Sequence, residues 1–254
     1  MAAGNDMAIT GFQGMVIVVT GGASGIGRRA VERFALSGAT VIACDIAKME
    51  PLSGVVNVCL DVTDEPGWER TVSDVMRDHG RLDAMINAAG IILLGNVVDT
   101  TLANFRRVMA VNVEGTFLGM KYAMRAMSPQ GRGSIVNLSS AAGLVGSPGV
   151  CAYCASKGAV RLMSKSAALE AIAAGTRIRV NAIYPGLTDT PMADSIVTQM
   201  GGGGDARRQL YSAMPNSRLA SADDVVDSIM FLVSDMSQFI NGAELVVDNG
   251  LTAQ

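Results

Sequence analysis

At 254 residues the chain has room for one large domain or two small ones, with a sizeable buried core. Apolar residues make up 49% and charged residues 17%, which excludes a disordered chain, and a net charge of −3 offers no broad basic face to nucleic acid or anionic lipid. The apolar runs are of strand length, well short of the roughly 20 residues that a membrane-spanning helix needs. The opening MAAGNDMAITGFQ lacks the basic-then-apolar pattern of a secretory leader, so residues 1–12 read as a flexible tail ahead of a single domain over 13–254.

Strand-length apolar runs recur at 15–20, 40–45, 55–61, 82–87, 134–139, 177–183 and 244–248. They are continuous rather than alternating, the pattern of strands covered on both faces. Helix-length segments lie between most of them, at 25–37, 66–79, 101–127, 153–174 and 222–234. This alternation predicts an α/β fold: a doubly wound, Rossmann-type parallel sheet of about seven strands with helices on both faces, binding its ligands beyond the carboxyl ends of the strands. Between Asp45 and Asp61 there is too little chain for a full helix plus strand, and Pro51 opposes a long helix, so a stub or loop is expected there. The stretch 186–220, with four consecutive glycines at 201–204, reads as irregular. It follows a strand's carboxyl end and carries Met192, Ile196, Val197 and Met200, which suits an apolar substrate lid.

The first strand runs into TGGASGIG (20–27) ahead of a helix. Gly21, Gly25 and Gly27 permit a tight turn, and the helix start beyond Ser24 and Ile26 offers free N–H groups and partial positive charge to a pyrophosphate. Asp45 ends the second strand 18 residues past Gly27, where a carboxylate accepts hydrogen bonds from ribose hydroxyls and repels a 2′-phosphate. Its neighbours Cys44, Ile46 and Ala47 are uncharged, with Arg28 and Lys48 the nearest cations, so NAD is favoured over NADP.

In GVCAYCASKGAV (149–160), Lys157 stands four residues after Tyr153, on the same face of a helix. A free phenol has a pKa near ~10 and is a poor base at neutral pH. A neighbouring ammonium, with the positive ring of an oxidised nicotinamide, would favour the phenolate and ready it to take a proton from an alcohol. Just upstream, SIVNLSS ends in Ser139 and Ser140, hydroxyls placed to meet a substrate oxygen. Cys151 and Cys154 form a C-x-x-C, but no thioredoxin-like or zinc pattern surrounds them, and they read as small packing residues in a reducing, cytoplasmic setting.

Together TGGASGIG, Asp45, LDVTD (60–64), NAAG (87–90), VNVEG (111–115), SIVNLSS, YCASK and YPGLTDTPM (184–192) resemble the short-chain dehydrogenase/reductase family, over nearly the whole chain from about residue 13. The resemblance implies that Tyr153 is the acid/base and that Lys157 lowers its pKa and grips the nicotinamide ribose. It makes Ser140 the holder of the substrate oxygen, and Asn112 the holder of a water in the proton relay. Asp61 and Val62 resemble the adenine-contacting pair, and Asn87, Ala88, Ala89 and Gly90 the segment under the adenosine ribose. Pro185, Gly186, Thr188 and Thr190 resemble the segment that orients the carboxamide.

The expected activity is NAD-dependent interconversion of a secondary alcohol and a ketone. Leu144, Val145, Leu187 and Met192, with IILLGN (91–96), suggest a hydrophobic substrate, cyclic, aromatic or steroid-like. A 3-oxoacyl-carrier-protein reductase is a second reading, against which Asp45 and the mild negative charge weigh. A non-catalytic NAD-binding sensor is a third, against which the complete Asn112, Ser140, Tyr153 and Lys157 set weighs. The single histidine, His79, leaves neither a Ser-His hydrolase nor a zinc dehydrogenase, and no metal is expected. A homotetramer is expected from the resemblance alone, through the helices at 101–127 and 153–174 and the C-terminal VVDNGLTAQ.

Overall fold

Seven Val- and Ile-rich segments pair side by side, all parallel: β1 (Val16–Thr20), β2 (Thr40–Asp45), β3 (Val55–Cys59), β4 (Ala84–Asn87), β5 (Arg132–Leu138), β6 (Arg177–Pro185) and β7 (Glu244–Val247). The computed structural model describes residues 11–253. In space the strands run β3-β2-β1-β4-β5-β6-β7, so the order reverses between β1 and β4 and opens a crevice at their carboxyl ends. The five inner strands are almost wholly buried, as their unbroken apolar runs imply, whereas the edge strands β3 and β7 are partly exposed.

Two hydrophobic cores flank the sheet. One lies under α2 (Glu65–His79), α4 (Gly115–Met127) and α5 (Cys151–Ala173); the other lies under α1 (Gly25–Leu36) and α8 (Ala222–Val233). The helix expected over 101–127 is broken into α3 (Leu102–Met109), a single π-helical turn at Ala110–Glu114, and α4. Residues 46–54 form bends and turns without a helix, as the short spacing and Pro51 imply. The expected tail lies outside the described residues up to residue 10, and at its end Phe12 is fully buried, edge-on to Phe34 at 5.1 Å between ring centroids.

The stretch 186–220 differs from its sequence reading. It folds into two helices, α6 (Pro191–Gln199) and α7 (Gly203–Ser212), and the positive φ values of Gly201, Gly202 and Gly203 serve the tight turn between them. The glycines thus act as punctuation between helices; they do not loosen the whole segment.

Strand register sets out the site. Thr20, Asn87 and Asn137 are direct partners across β1, β4 and β5. The Thr20 hydroxyl accepts hydrogen bonds from Ala88 N (3.0 Å) and Ala89 N (3.1 Å), fixing the turn after β4. Trp68 on α2 is fully buried and donates from Nε1 to Val62 O at 2.9 Å, pinning the segment after β3. Trp68→Ala should therefore lower the unfolding free energy by about 3–5 kcal/mol in urea titration, and Trp68→Phe by appreciably less.

Candidate active site

One cleft of about 980 Å³ runs along the carboxyl ends of the strands, from the glycine loop to the lid helices. At one end Gly21 takes φ +68°, and a Cβ on Gly27 would sit 2.2 Å from Gly21 O, so the turn closes only with glycine there. Ser24 precedes α1 in extended conformation and makes no side-chain cap, and no acidic residue stands in the first turn, so the helix start keeps its free N–H groups and positive end. Asp45 accepts from Ala23 N (3.0 Å) and Ala47 N (2.9 Å), and Asp61 accepts from Thr63 N (2.9 Å) and Oγ1 (2.8 Å). Both carboxylates line the cleft, together with Ile46, Val62, Ala88, Ala89 and Gly90.

The chemistry-bearing side chains meet in the middle. Lys157 is 4% exposed; its Nζ donates to Leu138 O at 2.7 Å and lies 5.5 Å from the centroid of the Tyr153 ring. Ser140 leads out of β5, and its Oγ accepts from Ala142 N at 3.2 Å and hydrogen-bonds Tyr153. Asn112 is fully buried inside the π-helical turn, where it accepts from Ile91 N (2.8 Å) and donates to Ile91 O (3.0 Å) and Ser156 Oγ (3.0 Å). Behind them Ser139 donates to Lys157 O at 2.9 Å.

Proton affinities depart from the sequence argument. Burial pushes the Tyr153 phenol up to about 12, against a smaller downward pull from the Ser140 hydrogen bond, and burial brings the Lys157 amine down to about 8. In the protein alone, then, desolvation outweighs the Ser140 hydrogen bond, and the phenolate is disfavoured. The donor set fits a nicotinamide dinucleotide: Lys157 has N–H groups beyond the one given to Leu138 O, and Asp45 has lone pairs for hydroxyls.

Gly21, Ser24, Gly25, Ile26, Gly27, Pro185, Gly186, Thr188 and Thr190 all line the cleft, as do Val145, Leu187 and Met192 at the lid end. Asn87 and Leu144 do not. Asn87 is buried beneath the floor, donating from Nδ2 to Asn137 Oδ1 at 2.8 Å, and Asn112 likewise stands behind the wall. Ile91, Ile92 and Leu94 join Ile196, Met200, Leu210 and Met214 in an apolar wall facing Tyr153's end, and Leu251 adds to it from the C-terminal segment. The sequence had pointed to 91–96, Ile196 and Met200; Leu210, Met214 and Leu251 carry no local signal and are brought in only by tertiary folding. Arg107 and Val111, also unforeseen, line the cleft through the α3 end and the π turn. Among the described residues, no group of three or more His, Cys, Asp or Glu could hold a metal ion, and no helix is long and apolar enough to cross a membrane.

The Lys157 shift has a measurable consequence. The folded amine loses its proton near pH 8 and the unfolded one near its usual 10.5, so the unfolded chain binds the extra proton in between, and stability from this group rises with pH over that window. Lys157→Met should raise the unfolding free energy of the protein alone at pH 7 by about 1–3 kcal/mol and flatten this rise. Urea titrations between pH 7 and 10 check it; a variant with the parent's slope would contradict it.

Comparison with known proteins agrees with this geometry. The family model described as enoyl-(acyl carrier protein) reductase matches residues 21–252. Cyclopentanol dehydrogenase of a Comamonas species is 39% identical over 248 residues, covering 94% of this chain and 97% of the relative. The NADP-dependent (R)-specific alcohol dehydrogenase of Lentilactobacillus kefiri is 36% identical over 253 residues, covering 96% and 98%. The crystal structure of levodione reductase superposes with a TM-score of 0.90 at 29% identity, covering 96% of this chain and 99% of that one. With its parallel seven-stranded sheet, its glycine loop at the α1 start and its Tyr153–Lys157 helix, the chain belongs to the short-chain dehydrogenase/reductase family of oxidoreductases.

Proposed function

We propose that the protein is an NAD-dependent oxidoreductase interconverting a secondary alcohol and a ketone on a neutral, hydrophobic, ring-sized substrate. The observation that carries this reading is the continuity of one cleft, from glycine loop through Ser140, Tyr153 and Lys157 to an apolar wall. A bound nicotinamide dinucleotide supplies the hydride acceptor, or the donor in reverse. The α1 start would bind the pyrophosphate and Asp45 the adenosine ribose hydroxyls, with Asp61, Val62, Ala88, Ala89 and Gly90 beside the adenosine, above a floor braced by Asn87. Pro185, Gly186, Thr188 and Thr190 would orient the carboxamide.

Ser140 holds the substrate oxygen next to Tyr153 Oη, which as the phenolate takes the alcohol proton and as the phenol gives one to the ketone oxygen. Lys157 stabilises the phenolate; because burial raises the phenol, the positive charge of the oxidised cofactor is needed beside the ammonium. Asn112, locked between Ser156 and Ile91, holds the π turn that backs Lys157, where a relay water would bind. The side chains that line the cleft with charge are Asp45, Asp61, Arg107 and Lys157, and none stands on the lid or on the 91–95 loop. That favours an uncharged alcohol such as a cycloalkanol over an acyl chain carried on a charged partner.

A homotetramer is supported by the apolar side chains that α4 and α5 leave exposed: Phe117, Leu162, Leu169 and Ile172. Free cysteines at 44, 59, 151 and 154 suit a reducing cytoplasm.

Two measurements test the reading. Tyr153→Phe should cut kcat/KM for cyclic secondary alcohols about a thousandfold while leaving dinucleotide affinity within about threefold; retained turnover would refute it. The parent should prefer NAD to NADP by about a hundredfold in kcat/KM, and Asp45→Ala should erase most of that gap. An Asp45→Ala enzyme as selective as the parent would refute the assignment of Asp45, a sharp question given an NADP-dependent relative at 36% identity.

A further inference from the structure

The loop 91–95 crosses the cleft from the end of β4 toward the lid, and three anchors hold it. Asn112 grips both polar atoms of the Ile91 backbone, N at 2.8 Å and O at 3.0 Å. Gly95 N donates to Gly149 O at 2.7 Å, just ahead of α5. The third anchor is on the lid: the Gln199 amide, at the last position of α6, accepts from Leu94 N at 2.8 Å and donates to Ile92 O at 3.3 Å, and its Nε2 also meets Ser195 Oγ at 3.1 Å.

An amide that donates and accepts along the same stretch of backbone behaves like a strand edge. It fixes two residues of the loop at once, including the orientation of Ile92 and Leu94, both of which line the cleft. The Ser195 hydroxyl, one turn back on α6, holds the amide from behind. From the loop the connection continues inward: Asn112 Nδ2 donates to Ser156 Oγ (3.0 Å), and Ser156 Oγ donates to Tyr153 O (2.7 Å). Two sets of hydrogen bonds, joined through the backbone between Ile91 and Ile92, therefore connect the lid to the backbone of the residue that carries the phenol.

We propose that Gln199 is a positioning residue: its side chain clasps the lid helix α6 to the 91–94 loop and thereby sets the apolar wall against the catalytic helix α5. It resides in the lid yet touches no catalytic side chain and does not itself line the cleft. The clasp is exposed to solvent, so each bond exchanges readily with water and is worth little net. A closure element that has to open each turnover needs such a cheaply broken contact. Ion pairing does not substitute for it: Arg207 of α7 pairs with Asp194 of α6, within the lid itself. The inference rests on the proposed reaction for what is positioned, and on the hydrogen bonds alone for the clasp.

The test combines hydrogen exchange on the whole protein with steady-state kinetics on a cyclic secondary alcohol. Gln199→Leu keeps much of the side chain's bulk and removes both bonds; at an exposed helix end it leaves the fold intact. Exchange at the Leu94 amide and over α6 should quicken about tenfold in the protein without cofactor. KM for the alcohol should rise about fivefold, kcat should change less than twofold, and dinucleotide affinity should stay the same. Gln199→Glu, which as a carboxylate still accepts from Leu94 N but cannot donate to Ile92 O, should fall between parent and leucine variant. Unchanged Leu94 exchange in Gln199→Leu overturns the clasp, and quickened exchange with unchanged KM overturns its positioning role. Because exchange is read without substrate, a failure of the alcohol reading shows separately, as a parent protein that oxidises none of the alcohols offered.

Discussion

A lysine ammonium buried at 4% exposure, with the Leu138 carbonyl as its protein hydrogen-bond partner, is the constraint around which the rest of the site is built. Placing that charge there opposes folding, since the water it loses is only partly replaced. The position requires α5 to lie close over the end of β5, and α5 manages this through small inward residues: Ala152, Ser156, Ser164, Ala167, Ala168 and Ala171 are all buried. A bulkier helix would stand off, and Lys157 would not reach Leu138 O. The composition of the 149–160 segment thus answers to distance, not to helix propensity alone.

Local signals carried much of the reading. Unbroken Val and Ile runs identify the strands because burial on both faces leaves no polar alternation to confuse them. The glycine loop, Asp45 and Tyr153–Lys157 were legible because each needs a residue type that few other positions need. What escaped was set by distant partners. Four glycines looked like a loose segment, yet the pairing of Arg207 with Asp194 and the burial of Ile196, Val197 and Ala206 make two helices of its flanks. The break of the 101–127 helix at Ala110–Glu114 has no proline to announce it; there Asn112 turns inward to Ile91 and Ser156, partners 21 and 44 residues away. The same holds for Asn87, whose motif suggests a ligand contact, while its amide in fact spans to β5. Proton affinity was the hardest to foresee, because a neighbouring charge can be read from spacing but the desolvation that raises the phenol cannot.

Two sets of buried polar groups have different duties. On the α8 face, Ser134 and Ser237 donate to Leu232 O at 2.9 and 3.0 Å, and Arg179 reaches Val233 O at 3.4 Å. These groups satisfy the last carbonyls of α8 and terminate a helix, a purely structural task. On the α5 face, Asn87, Asn137 and Ser164 form a relay at 2.8 and 2.9 Å beneath the cleft floor, and Asn112 and Ser156 stand behind the wall that Lys157 lines. Here each side chain is held by a neighbour that is itself held, and such a network fixes position more tightly than apolar packing can. The proton-transfer groups can then be kept poorly solvated without drifting apart, because the hydrogen bonds beneath them do not depend on their own protonation. Each face of the sheet has its own hydrophobic core, and the α5 side carries in addition the cost of an ammonium and a phenol kept out of water.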